Sequence, residues 1–247
     1  MFAVFSKKQI IGFVAVLVSV VIAGAGITAI TVSAEKKMLP VYYTDREDAV
    51  SISFDAAWGS DKTKSIVDIC AEYGIKATFF LTGFWIDANP DMVKYIYENG
   101  FEIGNHSENH YNMSGLSRKK VDEEIESVNT KINALTGTTP KLFRPPFGDY
   151  NNTLIKAINE KKMFCIQWNV DSLDWKGLSG DEIIARVLPK IESGSIVLFH
   201  NNSDHIVEAL PKIIEGIFAK GLKIVTIGEL IYQENYSIDN NGKQSKA

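Results

Sequence analysis

Val50-Ser51-Ile52-Ser53-Phe54, Lys76-Ala77-Thr78-Phe79-Phe80-Leu81 and Phe101-Glu102-Ile103-Gly104-Asn105 are short apolar runs separated by helix-patterned segments, and their order decides the fold. Short apolar runs bounded by turn residues read as buried strands. Between them, a helical pattern over residues 62–73 ends at Gly74. A second helix opens with Asn89 as N-cap and Pro90 at its first position, and closes at Gly100. The same alternation continues. Ser117 caps a long charged helix that runs to about residue 135, with Gly137 beyond it. Strands near 142–144, 163–170, 195–199 and 223–227 are separated by helices near 153–160, 181–191 and 206–220. About seven strands joined by helices require a parallel sheet with crossover helices. The class is α/β. A small (β/α)-barrel of about seven parallel strands fits this length better than the alternative, an open doubly wound sheet.

Composition narrows the function classes. The 247 residues are 45% hydrophobic and 23% charged with 7 Pro, which excludes extended disorder. A formal charge of −4 with no Lys/Arg-rich block argues against a nucleic-acid partner. No protein partner is identifiable. Cys70 and Cys165 match no metal-ligand spacing, and a disulfide between them stays open without geometry.

At the N-terminus, Lys7 and Lys8 precede an uncharged stretch over residues 10–33, followed by Glu35-Lys36-Lys37. The stretch is long enough to span a hydrocarbon core. Val32-Ser33-Ala34 also fits the small-residue rule for signal cleavage after Ala34. Residues 1–34 are therefore expected to be a membrane anchor or a signal segment, and both readings place the remainder outside the cytoplasm, tethered to the membrane or secreted. Residues 35–47 read as a polar connector, 48–232 as the domain, and 233–247 as a flexible tail.

The reactive side chains share one structural address. Asp55 ends the first predicted strand, His106 the third and Arg144 the fourth; Asp171 and Asp174 follow the fifth; His200 ends the sixth. In a (β/α)-barrel the carboxyl ends of the strands meet at the face where active sites sit. His106 and His110 are four residues apart, a spacing that puts two imidazoles on one face of a helical turn and suits a divalent ion such as zinc. His205, just inside a helix start, is incidental.

Read in order, these residues resemble the polysaccharide deacetylase family (carbohydrate esterase family 4, the NodB-homology domain), and within it the sporulation-associated branch. The resemblance rests on Ser53-Phe54-Asp55-Ala56-Ala57-Trp58-Gly59, His106-Ser107-Glu108-Asn109-His110, Arg144-Pro145-Pro146-Phe147-Gly148, Asp171-Ser172-Leu173-Asp174-Trp175 and Ile196-Val197-Leu198-Phe199-His200. It covers residues 48–232. It implies a distorted (β/α)-barrel and metal-assisted removal of acetyl groups from an N-acetylated polysaccharide such as peptidoglycan. Carried over by position, His106 and His110 would bind zinc, cobalt or manganese. Asp55 would be the general base, oriented by Arg144. His200 would be the acid, supported by Asp174. The N–H near Phe147 would help bind the oxyanion, and Trp175 would form part of the groove wall. A plain Arg144–Asp171 ion pair, and Trp175 as a core residue, are the non-catalytic readings of those side chains.

One position departs from the pattern. The family's Asp after the base is Ala56 here, and a methyl group cannot coordinate an ion. Asp61 is the nearest substitute ligand, with helix capping as its alternative role. Waters or substrate are a second way to fill the position. A non-catalytic glycan-binding protein of the same fold is the third reading.

Overall fold

The computed structural model describes residues 36–247, so the expected anchor or signal segment at 1–34 lies outside the described residues. The strands in chain order are β1 (Tyr43–Thr44), β2 (Ala49–Ala56), β3 (Thr78–Leu81), β4 (Glu102–Asn105), β5 (Leu142–Phe143), β6 (Phe164–Cys165), β7 (Val170–Asp171) and β8 (Ile196–His200). β9 (Lys223–Ile224), β10 (Tyr236–Ile238) and β11 (Lys243–Lys246) complete the set. The main sheet runs β6-β5-β4-β3-β2-β8-β7, with β9 on the start of β2, and its pairs are parallel.

Residue alternation along β2 explains why it stands at the centre. Val50, Ile52, Phe54 and Ala56 pack into an apolar cluster with helix residues such as Ile66, Cys70, Ile213 and Ile217. Ser51, Ser53 and Asp55 occupy the opposite face and are buried too. The strand is covered on both sides, as a barrel strand must be. On the inner side Phe80, Leu142, Ile166 and Ile196 form a second cluster. Gly104 is required beside it, because a Cβ there would lie 2.5 Å from the Phe80 ring.

The predicted fifth strand over 163–170 is two short pieces. β6 pairs with β5 and β7 with β8, so one stretch of chain touches both ends of the sheet and curls it into a distorted barrel. Between them, Ile166 bridges Val41, and the Gln167 N–H donates to the Val41 carbonyl at 2.7 Å. The N-terminal segment has taken the backbone groups that would have continued the strand.

Helices at Thr63–Glu72, Pro90–Glu98, Arg118–Thr136, Asn152–Glu160, Gly180–Val187 and Ile206–Ala219 match the expected positions. The short helix Gly83–Ala88 was not legible from periodicity. Asn89 sits at the N-cap of the following helix, but its amide donates back to the Trp85 carbonyl rather than capping. The ends of the domain differ most from expectation. Residues 233–247, expected as a flexible tail, carry paired strands: β10 and β11 form an antiparallel pair, β11 pairs with β1 inside the expected connector, and Gln244 is fully buried. The Gln244 amide accepts from Tyr232 N–H and donates to Tyr232 O, satisfying a polar side chain in a position that composition alone marks as loose. No described helix is long and apolar enough to cross a membrane.

Candidate active site

Asp55 is the next-to-last residue of β2 and His200 closes β8, and the two are register partners on adjacent parallel strands. His106 follows β4, Arg144 follows β5, Asp171 ends β7, and Asp174 opens the turn beyond it. A cleft of about 650 Å³ at this end of the barrel is lined by Asp55, His106, His110, Asp171, Asp174 and His200. Its volume is that of an ordinary small-ligand site. The sequence expectation that these groups converge therefore matches the geometry.

Arg144 is fully buried, its guanidinium 4.1 Å from the Phe80 ring centroid and 5.6 Å from that of Trp168. Its Nη1 donates to Asp55 Oδ1 at 2.8 Å and its Nη2 to the Gln167 carbonyl at 3.2 Å. The plain Arg144–Asp171 ion pair is thus not formed. Burial pushes the Asp55 carboxyl upward, but the charges of Arg144, His106 and His200 outweigh it and hold it below the usual carboxylate range. Asp171 accepts from Leu173 N–H at 2.9 Å and touches no other site group by hydrogen bond; it acts on His200 through its charge alone.

His200 is tied twice to Asp174. Its Nδ1 lies 2.7 Å from Asp174 Oδ1, and its backbone N–H donates to Oδ2 at 2.9 Å. Burial works to lower the His200 pKa, yet the Asp174 hydrogen bond and charge outweigh it and the net shift is upward. With Nδ1 committed to the carboxylate, Nε2 is the atom left to face the cleft.

The other two histidines of the cleft, His106 and His110, lie on a loop rather than a helical turn. Ser107 (φ 66°) and His110 (φ 55°) both adopt the left-handed region, each at a cost of about 1–3 kcal/mol. The rings still meet, 4.9 Å between centroids. His106 Nδ1 is 2.7 Å from the Arg144 carbonyl, which can only accept, so Nδ1 carries the proton and Nε2 keeps its lone pair. That Nε2 sits 3.5 Å from Asp55 Oδ2. Burial, with His106 nearby, pushes the His110 pKa down to about 4, and burial also lowers His106. Both shifts favour the neutral ring, the form in which imidazole binds metal.

The donor set stops there. Ala56 is fully buried in the apolar cluster with Phe54, Leu81 and Trp85. Asp61 does not replace it: its side chain is 70% exposed and ion-paired with Lys62 at 3.2 Å, outside the cleft. Nor does Asp61 cap the helix at 63–72, whose N-cap is Lys62. Among the described residues no group of three His, Cys, Asp or Glu side chains is assembled to hold an ion. Two neutral imidazoles fit a divalent metal such as zinc; a third protein ligand is missing.

Aromatic rings frame the opening. Phe147 and Trp175 are 65% and 60% exposed, so Trp175 is not a core residue. Trp58 lines the same cleft, 60% exposed, its ring 5.0 Å from His110 in an edge-on contact. Its turn is held from both sides, because the Gly59 carbonyl accepts from Trp85 Nε1 at 2.6 Å and Asn201 Nδ2 at 2.9 Å. Sequence reasoning missed Trp58 as a site residue, although a large aromatic three residues after Asp55 in a strand-end loop was a usable signal. It also missed Trp168, which lies inside the predicted fifth strand and lines the cleft.

One end of the distorted barrel thus carries an Arg-held carboxylate, an Asp-held histidine and a histidine pair. Residues 42–165 match the model of the polysaccharide deacetylase family, and the chain belongs to that family. It is 35% identical to an uncharacterised protein, YlxY, of Bacillus subtilis, over 76% of this chain and 60% of that one. It is also 35% identical to a peptidoglycan-N-acetylglucosamine deacetylase of Bacillus cereus, over 72% of this chain and 66% of the relative. The chain thus spans somewhat under two thirds of these two relatives. Among solved structures, a family 4 carbohydrate esterase pseudoenzyme of Bacillus anthracis superposes with a TM-score of 0.76 at 31% identity, covering 84% of this chain and 70% of that one. A mutant of that pseudoenzyme with restored activity superposes with the same TM-score at 32% identity.

Proposed function

We propose that this chain is a hydrolase that removes N-acetyl groups from a cell-envelope polysaccharide such as peptidoglycan, acting outside the cytoplasm. One observation carries the reading. Asp55 and His200 are register partners in one cleft, and each has its own buried counter-ion, Arg144 and Asp174. Structural ion pairs need no such arrangement. A carboxylate biased toward ionisation beside a histidine biased toward protonation suits amide hydrolysis.

In the reaction, Asp55 takes the proton from the attacking water through Oδ2, because Oδ1 is held by Arg144. His200 gives its Nε2 proton to the departing amine, and Asp174 stabilises the imidazolium until it does. A backbone N–H near Phe147 would serve as an oxyanion donor. Trp58, Phe147 and Trp175 supply faces against which sugar rings stack. His106 and His110 would hold a divalent metal such as zinc, cobalt or manganese, and such an ion would supply Lewis-acid polarisation of the acetyl carbonyl when bound. Sporulation-associated wall assembly is the setting that the motif set favours, and a membrane anchor or cleaved signal at 1–34 would deliver the domain there.

A second reading has its own support. Ala56 leaves the metal site one carboxylate short, and the chain is similar to a pseudoenzyme of the same family. In that reading the cleft binds glycan without turnover. Acetate release from chitooligosaccharides and from peptidoglycan, with each metal added to the full chain, separates the two. Release that is abolished by Asp55→Asn and His200→Ala supports the hydrolase. Glycan binding without acetate from any substrate supports the non-catalytic reading.

A further inference from the structure

We propose that Glu124 is a positioning residue of the site: acting through Asn109, it sets the turn that aims His110, from a helix that does not itself reach the cleft. The inference rests on reading His106 and His110 as the metal-binding pair.

Glu124 lies in the second turn of the Arg118–Thr136 helix, and it is fully buried. A carboxylate in that position must find donors, and both oxygens do. Oε2 accepts from the Asn109 backbone N–H and Oε1 from Asn109 Nδ2, each at 2.7 Å. Lys120 stands 3.4 Å away on the solvent side. Asn109 immediately precedes His110, whose backbone is left-handed, so the clamp grips the chain next to the strained residue.

The same helix holds the rest of the loop. Asn105 Nδ2 donates to the Ile125 carbonyl at 2.8 Å and to Asn129 Oδ1 at 2.9 Å. Asn105 Oδ1 in turn accepts from Ser107 N–H, and Ser107 Oγ accepts from His110 N–H at 3.0 Å. Lys131 bonds the Glu108 carboxylate. From the other side, Gly83 N–H donates to the Ser107 carbonyl, and a Cβ on Gly83 would collide with Glu108. Left-handed non-glycine residues persist only where surrounding bonds over-determine them. Here Glu124 supplies two of those bonds, and none of its atoms lines the cleft.

The identity of the residue matters. A carboxylate accepts from both Asn109 donors, whereas an amide accepts from one and turns its own N–H toward the other. Glu124→Gln is nearly isosteric, so it tests the clamp without opening a cavity. Residues that orient metal ligands from behind typically change affinity 10–100-fold when replaced.

The test uses the full chain, zinc titrated calorimetrically, and amide hydrogen exchange across residues 105–112 and 118–136. Glu124→Gln should weaken zinc binding roughly 10–100-fold and speed exchange at Asn109 and His110, with the helix amides unchanged. Asn109→Ala, which keeps the backbone bond, should give an intermediate loss. In a His110→Ala background, Glu124→Gln should change zinc affinity no further. Unchanged exchange at Asn109 and His110 in folded Glu124→Gln overturns the proposal. So does an equal zinc loss in the His110→Ala background. If Glu124→Gln does not fold, Asn109→Ala decides by the same exchange criterion. Absence of zinc binding by the unaltered chain counts against the metal reading of the histidines, while the exchange measurement still decides the role of Glu124.

Discussion

Asp55 and His200 stand directly opposite each other on adjacent parallel strands, although 145 positions separate them in sequence. Each is backed by a buried partner of opposite charge, Arg144 at 2.8 Å and Asp174 at 2.7 Å. The two partners bias the pair in opposite directions, one toward a standing base and the other toward a standing acid.

Asp174→Asn should move the alkaline limb of the deacetylation pH profile to lower pH. His200 must be protonated to donate, and Asp174 raises its pKa against the lowering effect of burial. Stability follows the same sign. A histidine raised above its ordinary 6.5 contributes fully below that value and loses the contribution as pH rises through the folded pKa. The stability gap between the unaltered protein and Asp174→Asn should therefore narrow with rising pH, as measured by urea titrations across pH 5–9. A gap that widens would refute the assignment.

Arg144→Met should destabilise the fold by about 3–5 kcal/mol, because it leaves the Asp55 carboxylate buried without its counter-ion. The double variant Arg144→Met with Asp55→Asn should lose less than the single one. Asp55 is held below its ordinary 3.8, so the pair's contribution is present above that pH and is lost as pH falls through the folded value. Chemical denaturation at pH 7 and at pH 3 measures both effects.

Ala56→Asp places a carboxylate in the apolar cluster beside Phe54 and Leu81. Without metal it should cost about 1–3 kcal/mol or more. Zinc at a hundred times its dissociation constant should return about 2.7 kcal/mol if the new carboxylate joins the two histidines. Thermal melts with and without zinc decide this; a melting point that zinc does not shift would show that position 56 cannot reach the pair.

Trp58→Ala and Trp175→Ala should each weaken chitooligosaccharide binding by about tenfold, or ~1.4 kcal/mol. Both rings are 60% exposed, so the melting temperature should stay close to that of the unaltered chain. Equal affinity in calorimetry would remove that ring from the groove.

Cys70 and Cys165 are free and buried, which settles the open question of a disulfide. Burial raises both thiols, Cys70 to about 12. A thiol reagent at pH 8 should find neither in the folded domain and both after denaturation, and reductant should leave the melting temperature unchanged.

Much of this was legible in the chain. The strand–helix alternation gave the parallel barrel, because each crossover helix leaves its own 3.6-residue pattern between apolar runs. The strand-end positions of Asp55, His106, Arg144 and His200 pointed to one shared address, because a parallel barrel brings every carboxyl end to one face. Ala56 stands out only against the family pattern, in which the residue after the base is an Asp. Local pattern could not show how 163–170 divides between two sheet neighbours, or that 233–247 pairs with residues 43–44; both depend on partners far away in sequence. The same holds for the charges. The Arg144–Asp55 contact was implied by the resemblance alone; that it forms in place of an Arg144–Asp171 pair, that Asp61 faces solvent, and that a buried Glu124 grips the histidine loop are results of packing, since distance and desolvation exist only once the chain has folded.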